Sequence, residues 1–251
     1  MLDGIHEAVV PPIAYRGALL HAQGQSVPKD EIGGDVADLV DTGRELVGWI
    51  ADVSGHGARA GFLTGVVKTA VRYGLRVGRP LPVILEDMNA LLPAVKETSM
   101  FVTMAALRFD GSDDAEYISA GHVPVLQYRR RQGDVVRWSM SQFPLGLFAG
   151  AAYASRRIRF EPGDIFALVT DGVVESGADQ DADLGLERLE HILRGMAGSP
   201  LPEIMKAINA DAGMQHDDRT VLLLRAPALE CPDQARWRTM LDTLDLELSR
   251  T

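Results

Sequence analysis

Cysteine is almost absent from this sequence, and long apolar segments are absent altogether. The one cysteine among the 251 residues is Cys231, so no disulfide can form within the chain and no thiolate zinc site can be built. No apolar run approaches the ~20 residues that a helix needs to cross a bilayer. The first residues, MLDGIHEAVVPP, lack the basic stretch and apolar run of a secretory signal. We therefore expect a cytoplasmic protein with no membrane partner.

Positive charge is also scarce. The chain carries 25 lysines and arginines against 35 aspartates and glutamates, which gives a formal net charge of −10. Nonspecific binding of DNA or RNA depends on cationic side chains that neutralise phosphates, so nucleic acid is not an expected partner. The hydrophobic share of 46% is typical of a folded globular chain, and the length suits one sizeable domain.

Several nucleotide- and metal-binding motifs are missing as well. No GxxxxGKS/T loop, GxGxxG fingerprint, HExxH helix or CxxC pair occurs. These absences argue against P-loop NTPases, Rossmann dehydrogenases and zincin proteases as first choices.

The order of predicted elements favours packed sheets over alternating strands and helices. Residues 46–53, LVGWIADV, predict a buried strand that ends in the turn Ser54-Gly55-His56-Gly57. Apolar residues at helical spacing predict helices at residues 57–73 and 81–96. This order suggests sheets packed on each other with helices outside. The later elements are short strands at 101–109, 115–119, 123–128, 135–138, 154–160 and 165–169, helices at 185–196 and 201–211, a strand at 220–224 and a closing helix at 233–248.

Four acidic positions stand where predicted strands begin or end. Asp35 follows two glycines, Asp52 and Asp171 close apolar strands, and the fourth position is the pair Asp217-Asp218 before the last strand. One such aspartate alone is typical of a turn or a helix cap. Four in matched settings suggest converging carboxylates, whose repulsion needs compensation. Hard dications such as Mg²⁺ and Mn²⁺ prefer oxygen ligands of this kind.

Six segments occur in an order that resembles the SpoIIE/RsbU-type branch of the PPM phosphatases, which are bacterial metal-dependent serine/threonine phosphatases. The segments are GGDVADL, ADVSGHGARAGFL, SAGHVPVL, PLGLF, VTDGVVES and DDRTVLLL. The resemblance implies an α+β fold, a four-layer αββα sandwich of two antiparallel sheets flanked by helices. It covers residues 28–226, so residues 1–27 would be a lead-in and residues 227–251 a helical tail.

The resemblance also implies roles for the acidic positions around two Mn²⁺ or Mg²⁺ ions. Asp52 would bridge the two ions, and the main-chain carbonyl of Val53 would join one of them. Asp171 and Asp217 would bind the other, and Asp35 would contact the pair directly or through water. A water activated between the ions would attack phosphorus, which makes Asp52, Asp171 and Asp217 the catalytic residues.

Lesser roles follow for neighbouring polar residues. Asp218 is expected to hold the adjacent turn, and Asp38 to support the site. His56 is a candidate proton donor to the leaving oxygen, although capping of the helix after Gly57 is the favoured interpretation. His122 is expected to be a structural turn histidine. No arginine is clearly placed to bind a phosphate.

The substrate implied by the resemblance is a phosphoserine or phosphothreonine on a small regulatory protein, such as a STAS-type anti-sigma-factor antagonist. Signals would arrive through a partner, through self-association as a homodimer, or through metal supply. Gly61 and Gly65 each weaken the helix at 57–73 by roughly 0.5–1 kcal/mol relative to alanine. That helix could couple partner binding to Asp52, or its glycines could only allow close packing.

Three other interpretations fit parts of the sequence. The GGD triplet is shared with diguanylate cyclases, but only 34 residues precede Asp35, too few for the elements expected upstream. The acidic run from Asp179 to Glu190 imitates a calcium loop, but Leu184 stands where that loop requires glycine. A phosphatase-like binding module without catalysis would be expected to lack a metal ligand, and all four aspartates are present.

Overall fold

The computed structural model describes residues 4–175, 181–211 and 216–227, which form two antiparallel sheets with helices outside both. The strands in chain order are β1 (Ile13–Arg16), β2 (His21–Val27), β3 (Asp35–Asp41), β4 (Leu46–Val53), β5 (Val102–Phe109), β6 (Asp114–Ala120), β7 (Val125–Arg129), β8 (Asp134–Trp138), β9 (Arg156–Arg159), β10 (Ile165–Val169) and β11 (Arg219–Arg225). One sheet has the order β1-β2-β11-β10-β7-β8, and the other has the order β3-β4-β5-β6-β9.

The helices lie on the outer faces of the two sheets. They are α1 (Ile5–Val9), α2 (Ala58–Arg76), α3 (Leu81–Leu91), α4 (Asp171–Val174), α5 (Ala182–Met196) and α6 (Leu201–Asp211), with a 3-10 helix (Leu92–Ala94) after α3. Apolar side chains of α2 and α3 pack on the five-stranded sheet, and those of α4, α5 and α6 pack on the six-stranded sheet. A third apolar layer fills the space between the sheets.

Side-chain alternation along β4 decides which residues face the other sheet. Val47 and Trp49 pack under α2 and α3, whereas Leu46 and Ile50 pack between the sheets. Successive side chains of a strand point to opposite faces, so Asp52 shares the face of Leu46 and Ile50. The strand therefore delivers one carboxylate to the end of the layer between the sheets.

The predicted four-layer α+β sandwich is confirmed. The helix predicted at 57–73 is α2, and the one predicted at 81–96 is α3 with the 3-10 helix that continues it. The strands predicted at 46–53 and 165–169 are β4 and β10. In the described ranges, no helix combines the length and the apolar character needed to cross a bilayer.

The predicted lead-in at residues 1–27 needs a correction. β2 pairs with β11 along its whole length, and β1 pairs with β2, so residues 13–27 belong to the six-stranded sheet. The sequence of β2, HAQGQSV, has no apolar run, so local pattern does not predict a strand there. Pairing with β1 and β11 stabilises it instead. The predicted tail at 227–251, with its helix at 233–248 and Cys231, lies outside the described residues apart from Pro227.

Candidate metal centre

Asp35 and Asp52 are direct partners across the β3–β4 ladder. Asp35 has the same parity on β3 as Ala37, which packs between the sheets, so both carboxylates face the six-stranded sheet. Asp35 is only 1% exposed, and its Oδ2 accepts a hydrogen bond of 2.7 Å from the hydroxyl of Thr170. Thr170 follows β10, so this bond crosses from one sheet to the other.

Asp171 and Asp217 come from the ends of two neighbouring strands of the six-stranded sheet. Asp171 lies directly after Thr170 and begins α4, and Asp217 lies two positions before β11. The backbone amide of Gly172 donates to Asp171 Oδ1 at 2.7 Å. A Cβ at Gly172 would lie 2.0 Å from the carbonyl oxygen of Asp218, so only glycine lets the two chain segments approach this closely.

The pKa values of these carboxyl groups show how strongly they interact. Burial, followed by the charges of Asp171, Asp217 and Asp218, raises the pKa of Asp52 to about 7. Burial and then the charge of Asp52 raise the pKa of Asp35 well above its ordinary value, against the lowering effect of the Thr170 hydrogen bond. Burial is also the largest cause of the raised pKa of Asp171. The charged groups that shift these three values are all carboxylates.

Glu175 was missed by the sequence analysis. It follows α4, and burial together with the charges of Asp171 and Asp217 raises its pKa. The sequence does offer a signal for it, because a residue four positions after Asp171 lies next to Asp171 on the same face of a helix.

The carbonyl of Val53 lies against the glycine pair that precedes Asp35. A Cβ at Gly34 would lie 2.5 Å from the Val53 carbonyl oxygen, and the Val53 amide donates to the Gly34 carbonyl at 3.2 Å. Position 34 therefore has to be glycine for this oxygen to stay where it is. Like the carboxylates of the nearby aspartates, this carbonyl is an oxygen donor of the kind that hard dications prefer.

The carboxylate of Asp218 is engaged in hydrogen bonds to the backbone of the adjacent segment. Its two carboxylate oxygens accept hydrogen bonds from the backbone amides of Lys29 and Gly34, each at 2.7 Å. These bonds fit the turn-holding role expected for it.

Asp38, in contrast, does not support the site as predicted. It accepts two hydrogen bonds from Arg72 of α2, at 2.6 and 2.8 Å, and Lys68 Nζ lies 3.7 Å from Asp38 Oδ1. It lies three positions after Asp35 on β3, so alternation points it to the helix side of the sheet. Its role is to attach α2 to β3.

The two histidines behave differently. The capping role favoured for His56 is wrong, because α2 begins after Gly57 without a side-chain cap hydrogen bond. His56 is exposed, and its Nδ1 lies 3.5 Å from Asp30 Oδ2. His122 is hydrogen-bonded to the Thr103 hydroxyl at 2.8 Å and to the Val169 carbonyl at 3.0 Å, and burial lowers its pKa to about 4. These bonds fit the structural role expected for it.

A cavity of about 360 Å³ opens beside the end of β4. Arg59, from the first turn of α2, lines it and forms an ion pair of 2.5 Å with Glu97, in which both side chains are more than half exposed. The sequence alone singles out no arginine for this role, and the available signal for Arg59 is its place seven residues after Asp52. Further lining residues are Ser54, Gly55, His56, Ala60, Ser99 and Met100.

The acidic segment that imitates a calcium loop is occupied with other contacts where the structure describes it. Asp181 caps α5 by accepting hydrogen bonds from the amides of Asp183 and Leu184. Glu190 is hydrogen-bonded to Arg137 at 2.6 Å and to Arg194 at 2.7 Å. Asp179 lies outside the described residues.

The described carboxylates do not form a closed ligand shell. Among residues 4–175, 181–211 and 216–227, no three His, Cys, Asp or Glu side chains are grouped closely enough to be a ready-made metal site. The pKa shifts show that Asp52 nevertheless senses three neighbouring carboxylates. The two observations agree if the carboxylates lie within electrostatic range of one another but outside common ligand distance.

The family of the chain follows from comparison with known proteins. The model of a family described as Stage II sporulation protein E (SpoIIE) matches residues 42–227. The chain therefore belongs to the SpoIIE family. Asp52, Asp171 and Asp217 lie within the matched residues, and Asp35 precedes them.

Individual relatives are similar over most of this chain. Phosphoserine phosphatase RsbU of Bacillus subtilis (strain 168) is 26% identical over 208 residues, which cover 80% of this chain and 61% of RsbU. The RsbU and RsbW domains of a Mycobacterium tuberculosis protein match with a TM-score of 0.76 at 21% identity, over 97% of this chain and 72% of that one. RsbX in complex with magnesium matches with a TM-score of 0.69 at 18% identity, over 86% and 99% of the two chains. The two solved structures share the fold.

Proposed function

We propose that this chain is a metal-dependent protein phosphatase that hydrolyses phosphoserine or phosphothreonine on a regulatory protein. The observation that carries the proposal is the meeting of carboxylates from both sheets around Asp52, whose pKa is raised to about 7 by burial and by three other aspartates. Repulsion of this size is relieved by bound dications, and the donor atoms are all oxygens.

The similar proteins support the same activity. RsbU is a phosphoserine phosphatase, RsbX holds magnesium, and the Mycobacterium tuberculosis protein carries an RsbW domain beside its RsbU domain. The proposed substrate is a phosphorylated regulatory protein, such as an antagonist of the STAS type.

The residues that would hold two Mn²⁺ or Mg²⁺ ions are Asp35, Asp52, Asp171 and Asp217, together with the Val53 carbonyl. When bound, such ions supply a nucleophilic water at neutral pH and neutralise charge on the phosphoryl group. The chain's own part is to hold these oxygens in place. Gly34 leaves room for the Val53 carbonyl, and the Thr170 hydroxyl orients the Asp35 carboxylate.

The cavity beside β4 is where the phosphorylated residue would enter. Its lining includes the Arg59 guanidinium, which can exchange the Glu97 carboxylate for a phosphoryl oxygen. Since both partners are largely exposed, their ion pair contributes little to stability and breaks at small cost.

The test is phosphate release from p-nitrophenyl phosphate and from a phosphoserine peptide, with added Mn²⁺ or Mg²⁺ and with EDTA. We expect turnover that needs the metal, that is lost in Asp52→Ala, and that falls by orders of magnitude in Asp171→Ala and Asp217→Ala. Glu190→Ala serves as the control, because Glu190 contacts only Arg137 and Arg194 among the ion pairs described. Full turnover after exhaustive chelation, or in Asp52→Ala, contradicts the proposal. Absence of turnover in the wild type despite tight Mn²⁺ binding would favour a binding module.

A further inference from the structure

His6 of α1 is a buried histidine whose two ring nitrogens are both engaged. It is 7% exposed, its Nδ1 accepts a hydrogen bond of 3.3 Å from the amide of Gly33, and its Nε2 lies 3.1 Å from the hydroxyl oxygen of Ser26. A backbone amide can only donate, so Nδ1 carries no proton and Nε2 donates to Ser26. Burial lowers the pKa of His6 against the opposing charge of Asp218, which suits the neutral ring that this pattern requires.

The first of these bonds reaches the backbone next to the proposed metal centre. Gly33 and Gly34 directly precede Asp35, and Gly34 packs on the Val53 carbonyl. The Gly34 amide donates to Asp218, and the Gly34 carbonyl accepts a 2.8 Å hydrogen bond from the Thr64 hydroxyl. Asp218 and Thr64 thus fix the second glycine, and His6 fixes the first.

The second bond begins a series of hydrogen bonds that ends on Asp35. The hydroxyls of Ser26 and Thr220 are hydrogen-bonded at 2.8 Å. The Thr220 amide donates to the Thr170 hydroxyl at 3.0 Å, and that hydroxyl donates to Asp35 Oδ2 at 2.7 Å. The ring of His6 is therefore linked to Asp35 by two routes, one through the backbone of Gly33 and Gly34 and one through Ser26, Thr220 and Thr170.

α1 itself is anchored firmly enough to hold the ring in place. Lys68 Nζ donates to the carbonyl of Val9, the last residue of α1, at 2.7 Å. The same ammonium group lies 3.7 Å from Asp38 Oδ1, inside the contact that attaches α2 to β3. The position of α1 is thereby set by the strand that begins at Asp35.

We propose that His6 is a positioning residue for the metal centre, and that it acts mainly by holding Gly33 and hence the backbone of Asp35 and the Val53 carbonyl. The inference rests on the proposed function, because it assumes that these oxygens bind a dication. Residues that orient metal ligands from outside commonly change affinity by about 10–100-fold when they are removed. A histidine that only fills the core would change stability and leave the affinity for metal as it was.

The test is direct Mn²⁺ binding to the full chain, measured by calorimetry or electron paramagnetic resonance without any substrate. His6→Asn places a carbonyl oxygen near the former Nδ1 and preserves the acceptor for Gly33, whereas His6→Gln preserves a donor near Nε2 and loses that acceptor. His6→Ala loses both. Glu7→Gln, an exposed neighbour on α1, is the control. Thermal unfolding in EDTA records the stability of each variant separately.

We expect His6→Ala and His6→Gln to bind Mn²⁺ about 10-fold or more weakly, with His6→Asn and Glu7→Gln close to the wild type. Wild-type affinity in folded His6→Ala and His6→Gln overturns the inference and leaves His6 as a core residue, while the proposed function stands. If His6→Ala does not fold, His6→Gln decides by the same criterion. Absence of Mn²⁺ binding by the wild-type chain overturns the proposed metal centre and this inference together.

Discussion

At the scale of single residues, the raised pKa of Asp52 follows from its place at the end of the apolar layer between the sheets. The buried apolar side chains that precede it on β4 exclude water, and its polar neighbours are other aspartates. Both effects disfavour the charged carboxylate, so the metal-free chain holds a proton there that a solvated aspartate would lose.

The stability of the metal-free chain should therefore depend on pH through Asp52. The pKa of Asp52 is about 7 in the folded chain against an ordinary 3.8, so its favourable contribution is complete below the lower value and is lost as pH rises through the higher one. In EDTA, we expect the Tm of the wild type to fall more steeply than that of Asp52→Asn between about pH 4 and pH 7. Glu203→Gln, on the surface of α6, should follow the wild type. Parallel curves for the wild type and Asp52→Asn would show that Asp52 does not titrate in this range.

Arg59 gives a second prediction at this scale. Arg59→Ala should raise KM for a phosphoserine peptide and leave kcat within a small factor, because the guanidinium would contribute to binding in the cavity rather than to the attack on phosphorus. Steady-state kinetics at saturating Mn²⁺ separate the two constants. Arg76→Ala at the far end of α2 is the matched control. A large fall in kcat with unchanged KM would place Arg59 in the chemical step instead.

At the scale of elements, the two glycines of α2 turn out to be unlike each other. A Cβ at Gly61 would lie 1.9 Å from Ile32 Cγ2, whereas a Cβ at Gly65 meets nothing within 4 Å. The close-packing interpretation therefore applies to Gly61, where the absence of a side chain lets α2 pack directly on Ile32, next to Gly33. Gly65 only lowers the stability of the helix.

This difference predicts opposite results for the same substitution. Gly65→Ala should stabilise the chain by about 0.5–1 kcal/mol, because alanine suits a helix interior better than glycine and the added methyl group has room at this half-buried position. Gly61→Ala should destabilise it by about 1–3 kcal/mol through overpacking, and should also weaken Mn²⁺ binding by displacing Ile32 and Gly33. Denaturant titration and Mn²⁺ titration of both variants give the two quantities. Equal effects of the two substitutions on metal affinity would contradict the coupling.

Local signals account for what the sequence could and could not predict among these elements. β4, its turn and α2 combine an apolar run, two glycines and helical spacing within thirty residues, so their bounds were predicted to within a few positions. β2 and the contacts of His6 have no such signal. Histidine, serine and threonine at positions 6, 26 and 220 are ordinary polar residues until the sheet brings them together.

At the scale of the whole molecule, the candidate centre joins the two sheets. Asp35 and Asp52 come from the five-stranded sheet, and Asp171 and Asp217 come from the six-stranded one. An ion bound by both pairs would therefore connect the two sheets.

Bound metal should therefore stabilise the whole fold. Mn²⁺ at about 100 times its Kd is expected to add roughly 2.7 kcal/mol per site, since a ligand that binds only the folded state stabilises it by mass action. The Tm should rise with Mn²⁺ concentration in the wild type and much less in Asp171→Asn. Calorimetric scans across a Mn²⁺ series measure this. A Tm that is independent of Mn²⁺ up to millimolar concentration would speak against a centre that links the sheets.

The position of β11 has a consequence for how the chain is made. It lies between β2 and β10, with seven paired residues on one side and five on the other, although about 190 positions separate it from β2 along the chain. During synthesis at about 5–20 residues per second, β1 and β2 would wait about 10–40 s for the strand that completes their sheet. Throughout that interval β2 presents an unpaired edge, which is the kind of surface that aggregates. A nascent chain halted before residue 219 should thus depend on chaperones, and a chain released after residue 227 should not.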